Sequence, residues 1–156
     1  MPDNNTSHSA TPYRMLHLGL GSFHRAHQAV YLHQLQQCGD RSWTLASGNI
    51  RPDMADTIEA LMAQHGAYTL ETVTPQGERS YTRITSLNEV VPFDTSHGGL
   101  VRLGADPLTR IISFTVTEAG YYLDAKDRLD LSFADLQSDV QALRAGQSGS
   151  TIYGAL

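Results

Sequence analysis

One junction near the start limits the folds open to this chain more than anything else in it. Met15-Leu16-His17-Leu18-Gly19-Leu20-Gly21 is a short, mostly apolar run that ends in two glycines. Such a run bounded by glycine reads as a buried strand. From His24 to Cys38 the apolar residues Ala26, Ala29, Val30, Leu32 and Leu35 recur at helical spacing, and Gly39 stands where a helix usually stops. A buried strand that hands over to an amphipathic helix across G-x-G predicts an α/β fold.

The remainder of the chain extends that pattern. Trp43–Ile50 reads as a second strand, and Ile58, Leu61, Met62 and His65 fall at i, i+3, i+4 and i+7 of a helix that Asp53 can cap and Gly66 can close. Tyr68–Val73 and Arg79–Thr85 are β-branched and aromatic runs joined by Thr74-Pro75-Gln76-Gly77-Glu78, which predicts an antiparallel hairpin inserted in a mostly parallel sheet. A loop is expected around Ser96-His97-Gly98-Gly99. Arg110–Thr117 is the most β-branched and apolar run and is expected to lie centrally. Ser132 to Asp135 resembles a capping box ahead of Leu136, Val140 and Leu143, with Gly146 as the stop, and Ser150–Leu156 looks like the start of another helix. The order predicts a Rossmann-like, doubly wound sheet with helices on both faces, apparently incomplete at its C-terminus. Residues 1–13 carry little aliphatic surface and are expected to form a disordered tail, leaving 14–156 as one domain.

Composition narrows the partners. Sixteen acidic against eleven basic side chains give a net charge of -5, so no electropositive field exists to hold nucleic acid non-specifically. No apolar stretch approaches membrane-spanning length, and Met1–Pro12 lacks a charged-then-apolar signal pattern. A single cysteine, Cys38, cannot form an internal disulfide, which fits a reducing cytoplasm. His24 and His27 lie three apart, but with His17 or His33 they make no recognised zinc spacing, so no metal is expected. Neither Cys38 nor Ser96-His97 has partners in the order that nucleophilic catalysis needs.

The chemistry concentrates at the first turn, Gly19-Leu20-Gly21-Ser22-Phe23-His24-Arg25. Gly19 permits a tight turn, Gly21 lets backbone N–H groups approach a pyrophosphate, and the helix start that follows carries partial positive charge. The third glycine of the usual dinucleotide fingerprint is absent and His24 takes its place. His24 and Arg25 either supply hydrogen bonds or charge to the phosphates or are simply solvated. Asp53, just beyond the second strand, either binds the adenosine ribose or caps the following helix. Arg51 beside it can instead accept the extra phosphate of NADP. Thr117 and Glu118 follow the strongest strand at its carboxyl end, where ligands bind in such sheets, so Glu118 either approaches the nicotinamide or faces solvent. Tyr121 and Tyr122 read as packing residues.

The run from His17 to Ala29, with G-x-G-x-F-H-R-A-H-Q at its centre, resembles the opening of the polyol-specific long-chain dehydrogenases, the mannitol dehydrogenase family. Trp43, Tyr68-Thr69-Leu70 and Phe114–Tyr121 extend the resemblance over about 14–156. Ala46–Arg51 and Leu70–Arg79 look most like the members that oxidise D-arabinitol; a mannitol- or fructuronate-type substrate is the second choice. The resemblance implies an NAD-dependent oxidation of a secondary alcohol, D-arabinitol to D-xylulose, with a dinucleotide and a small polyol as partners. The family's turn carries over onto Gly19, Gly21, Ser22, Phe23, His24 and Arg25, its acidic specificity position onto Asp53, and its T-E-G-G-Y segment onto Thr117–Tyr121, where Ala119 replaces a glycine. Met54 stands where some relatives hold a second acid. The family's lysine base lies on a helical substrate domain beyond position 156. Lys126, the single lysine here, lacks the surrounding motif, so no catalytic residue is expected in this chain. The rival expectation is a non-catalytic nucleotide-binding module or inactive fragment.

Overall fold

The computed structural model describes residues 11–156. Six strands and six helices follow in the order β1 (Tyr13–Leu18), α1 (Ser22–Ala26), α2 (Gln28–Gln37), β2 (Trp43–Gly48), α3 (Ala55–Ala63), β3 (Tyr68–Val73), β4 (Arg79–Ile84), β5 (Leu87–Val91), α4 (Gly98–Gly104), β6 (Thr109–Phe114), α5 (Ala134–Arg144) and α6 (Ile152–Ala155), with a 3-10 turn at Glu118–Tyr121. The tail expected over 1–13 falls mainly on 1–10, outside the described residues. Tyr13 is already in β1, paired with Trp43.

Four parallel strands form the main sheet in the order β5-β2-β1-β6. The chain runs outward from β1 through β2 to β5, then crosses back to β6 on the other side of β1. Strand order therefore reverses between β1 and β6, the kind of switch point at which α/β sheets open a crevice. Leu18 pairs with Gly48 and Phe114, and Gly48 pairs with Val91. All four strands thus end at one edge, and the loops that follow them gather there.

Side chains alternate between two cores, as strand geometry requires. On one face Leu45, Leu20 and Leu87 pack with Ala29 and Leu32 of α2, Ile58 and Leu61 of α3, and Ile84 of the hairpin. On the other, Leu16, Leu18, Ala46 and Val91 pack with Leu100 and Leu103 of α4 and Ile152 of α6. Both faces are covered, as the doubly wound reading requires.

The hairpin β3–β4 forms in register from Tyr68↔Ile84 to Val73↔Arg79, as a separate two-stranded sheet rather than a member of the main one. Gly66 closes α3 at φ +78, its N–H bonded to Leu61 O. A Cβ there would collide with the Leu87 carbonyl.

Several expectations are corrected. Among the described residues β6 comes last in the sheet order, beside β1, rather than between two strands as expected: its β-branched composition reflects strand propensity, which carries no information about position in a sheet. The first helix is broken at His27 (φ -125, ψ -80). There the imidazole Nδ1–H donates to Phe23 O at 2.9 Å, taking the carbonyl that helix continuation would use. Asp53 does not cap α3, whose N-cap is Met54 in the left-handed region (φ 60) with no side-chain cap. Ser132 does not cap α5 either; Phe133 holds that place. The region read as a loop near His97 contains α4, and β5 follows the hairpin directly.

Candidate functional site

A cleft of about 340 Å³ opens at the carboxyl edge of the sheet, on the switch point. Gly19 and Gly21 form one wall, Thr115 and Thr117 after β6 the facing one, and Asp53 and Arg51 lie at the β2 side. A second hollow of about 480 Å³ shares Ile50 and Arg51 with it and is bounded by Phe93, His97 and Asp135. The smaller cleft is the one that holds the glycine turn, and it defines the site.

The turn is shaped by its backbone. Gly19 has φ +123, a conformation that a side chain strongly disfavours. Its N–H donates to Gly48 O at 2.8 Å, and its carbonyl accepts from Ser47 Oγ, which also bonds His17 O. The next amide, Leu20 N–H, donates to Asn49 Oδ1 at 2.7 Å. At Gly21 an added Cβ would meet no protein atom within 4 Å. Gly21 also begins α1 without any side-chain cap. The turn therefore presents bare backbone to the cleft, a surface that fits an anionic group requiring close approach. Because the helix breaks after five residues, local N–H groups rather than a long-helix dipole supply the polarity.

Of the sequence-predicted residues, Gly19, Gly21, Asp53 and Thr117 come together on this cleft. Ser22, Phe23, His24, Arg25 and Glu118 do not line it. Ser22 and Glu118 are exposed, and Phe23 is 62% exposed and stacks on His27. Arg25 turns back on the turn itself, its Nε donating to Leu20 O at 3.0 Å, while its carbonyl accepts from Tyr68 Oη.

His24 departs furthest from a phosphate ligand in solvent. It is buried and stacks on the buried His17, ring centroids 3.9 Å apart and planes 6° off parallel. Its Nδ1–H donates to Gln28 Oε1, and Gln28 Nε2 donates to Ser113 Oγ on β6. His17 Nδ1 also meets Ser113 Oγ at 2.9 Å. Burial, with the neighbouring His24 adding to it, pushes His17 down to about 3. Burial likewise lowers His24 to about 4, against the Gln28 hydrogen bond that raises it and with Arg25 adding to the fall. Both imidazoles are thus neutral near pH 7, and the pair fastens the turn to β6 instead of carrying charge.

Elsewhere, His33 Nδ1 meets the Thr85 N–H, and His97 Nε2 lies 3.1 Å from Ile50 O while its buried Nδ1 has no partner among the described residues. Among the described residues no three His, Cys, Asp or Glu side chains converge for a metal, and no helix is long and apolar enough to cross a membrane. Neither lysine nor histidine lines the cleft. Lys126 sits in an exposed turn bonded to Asp124.

Asn49 is the residue that motif reasoning missed. It is buried beside the turn, and its Nδ2 donates to both Asp53 O and Asp53 Oδ1 at 3.1 Å. A buried amide directly after a strand ending in glycine was the available signal.

Comparison with known proteins agrees with this geometry. Residues 13–150 match the mannitol dehydrogenase Rossmann domain. The chain is 57% identical over 145 residues to D-arabinitol 4-dehydrogenase of Ralstonia nicotianae, covering 91% of this chain and 30% of that protein. It is 51% identical over 144 residues to D-arabinitol 4-dehydrogenase of Klebsiella pneumoniae, covering 92% and 30%. In three dimensions it is similar to Pseudomonas fluorescens mannitol 2-dehydrogenase in its ternary complex with NAD and D-mannitol, with a TM-score of 0.81 and 26% identity over 93% of this chain and 29% of that one. The chain spans about 30% of the length of these curated relatives. It therefore belongs to the mannitol dehydrogenase family, within which residues 13–150 are the Rossmann domain.

Proposed function

We propose that this chain is the NAD-binding part of a cytoplasmic polyol dehydrogenase that oxidises D-arabinitol to D-xylulose. The observation that carries the binding role is the convergence of Gly19, Gly21, Asp53 and Thr117 on one cleft at the switch point of the sheet. The substrate follows from the two arabinitol dehydrogenase relatives at 51–57% identity. In this reading the uncapped backbone at Gly21 and the start of α1 holds the pyrophosphate, Asp53 accepts from the ribose hydroxyls, and Thr115 and Thr117 border the nicotinamide side. Ser22 adds a hydroxyl at the turn, whereas Phe23, His24 and Arg25 hold its shape from behind, and Glu118 stays in solvent. When bound, the nicotinamide supplies the hydride acceptor. The chain's own residues orient it.

Proton removal from the alcohol needs a base within hydrogen-bonding reach, and this cleft offers no lysine or histidine. That observation favours a second reading of the chain taken by itself, a module that binds the dinucleotide without turnover. Titration of the purified chain with NADH, followed by fluorescence, tests the first claim, and a D-arabinitol assay with NAD tests the second. Saturable binding without turnover is the expected result. No binding at millimolar NADH overturns the proposal, and turnover overturns the second reading.

A further inference from the structure

Asn49 joins two parts of the cleft that the sequence keeps apart. Its Oδ1 accepts from Leu20 N–H at the middle of the glycine turn, and its two Nδ2 hydrogens go to the carbonyl and the carboxylate of Asp53. Three hydrogen bonds nearly exhaust what one amide side chain can make. Asp53 itself is exposed and precedes Met54, which is held at φ 60. Among the described residues, Asn49 is the only hydrogen-bond partner of its carboxylate. A lone carboxylate on such a loop samples several rotamers, whereas a donor fixed in the sheet edge holds one oxygen and leaves the other free.

We infer that Asn49 is a positioning residue that sets NAD over NADP by clamping Asp53 to the glycine turn. This rests on the cofactor reading above. The clamped carboxylate presents Oδ2 to ribose hydroxyls at a fixed distance from the phosphate-binding backbone, and a 2′-phosphate at the same place meets a carboxylate that cannot swing away. A released carboxylate loses both effects, so the loss falls on the ratio of the two affinities. A purely structural role at Asn49 would weaken both dinucleotides alike.

The test is a double-mutant cycle on the full chain, with NADH and NADPH titrated by fluorescence. Asn49→Ala is expected to lower the NADH-to-NADPH affinity ratio about tenfold, the size of one lost charge-assisted hydrogen bond. In an Asp53→Ala background the same change should leave that ratio within about twofold. Asn49→Ala also strips the acceptor from Leu20 N–H. The cycle is therefore repeated with Asn49→Asp, which keeps an acceptor there, cannot donate to Asp53, and decides the matter if Asn49→Ala does not fold. Its charge acts directly on the dinucleotide in both backgrounds and cancels there, whereas its repulsion of Asp53, present in one background only, releases the same carboxylate and works with the loss of the donor. Equal losses for both dinucleotides, or losses that persist without Asp53, overturn the clamp while leaving the binding site intact. Absence of NADH binding by the unmodified chain overturns the cofactor reading instead.

Discussion

The glycine turn after β1 and the segment that opens α6 solve the same problem in opposite ways. Both are tight turns in which glycines bring backbone amides to one point. At the second, the buried Asp139 of α5 fills that point: its carboxylate accepts from Ser150 N–H at 2.6 Å, Thr151 N–H at 3.0 Å and Thr151 Oγ1 at 2.5 Å. Burial would raise this carboxyl, but the hydrogen bonds from Thr151 and Ser150 outweigh it and hold the group below the ordinary carboxylate range. A Cβ on Gly149 would sit 2.5 Å from Asp139 Cγ, so the anion is enclosed. At Gly21 the corresponding space is empty of protein. A turn whose anion is internal is part of the core; a turn left open at a sheet edge leaves room that the protein itself does not fill.

Valine substitutions should separate the two most sharply. Gly149→Val forces a side chain into the enclosed carboxylate and is expected to cost about 3 kcal/mol or to prevent folding, read by chemical denaturation. An unchanged midpoint would mean that the clasp does not close in solution. At Gly21 the added Cβ meets no protein atom within 4 Å, so the melting temperature of Gly21→Val should hold while NADH affinity falls about 100-fold through loss of close backbone approach to phosphate. Undiminished binding would remove the turn from the site.

Charge sharpens the contrast further. Asp139→Asn preserves volume but replaces one accepting oxygen with a donor facing other donors, for an expected loss of about 2 kcal/mol with no effect on NADH affinity per folded molecule. The smallest effect is in pH. His17 and His24 titrate lower in the folded chain than the ordinary 6.5, so the unfolded state binds more protons between that value and about 3 to 4. Stability is therefore complete above 6.5 and declines as pH falls through this window. Thermal melts should drop by about five degrees between pH 8 and 6 and more steeply below. A flat profile from pH 7 to 5 would show that the stacked pair is solvated.

Legibility followed the range of the interactions involved. The β1 turn, the hairpin, and the stops at Gly66 and Gly146 were readable because each depends on a few neighbouring residues and on a backbone angle that glycine favours. β5 escaped because Asn88 and Glu89 interrupt its apolar character. Asn88 accepts from Leu45 N–H with its side chain, at a register shift in the ladder. α4, Gly-Gly-Leu-Val-Arg-Leu-Gly, is too glycine-rich to look helical. Gly99 is needed because a Cβ there would lie 2.7 Å from Val91 Cγ1. In the site, the glycines and Asp53 were found by position along the chain. His24 was assigned to solvent or phosphate, because nothing local shows that His17 and Ser113 will bury it.

From its residues alone this chain determined a glycine-bounded first strand, the alternation of strands and helices, and a carboxylate placed after the second strand. These depend on side-chain period and backbone freedom, which act over a few residues. Only the tertiary structure decided that β6 pairs beside β1, that two imidazoles lie neutral beneath the turn, and that Asn49 ties Leu20 to Asp53 across 29 positions in one direction and four in the other. Those outcomes are set by which surfaces meet when the sheet assembles, and pairing between distant segments leaves no periodic trace in either of them.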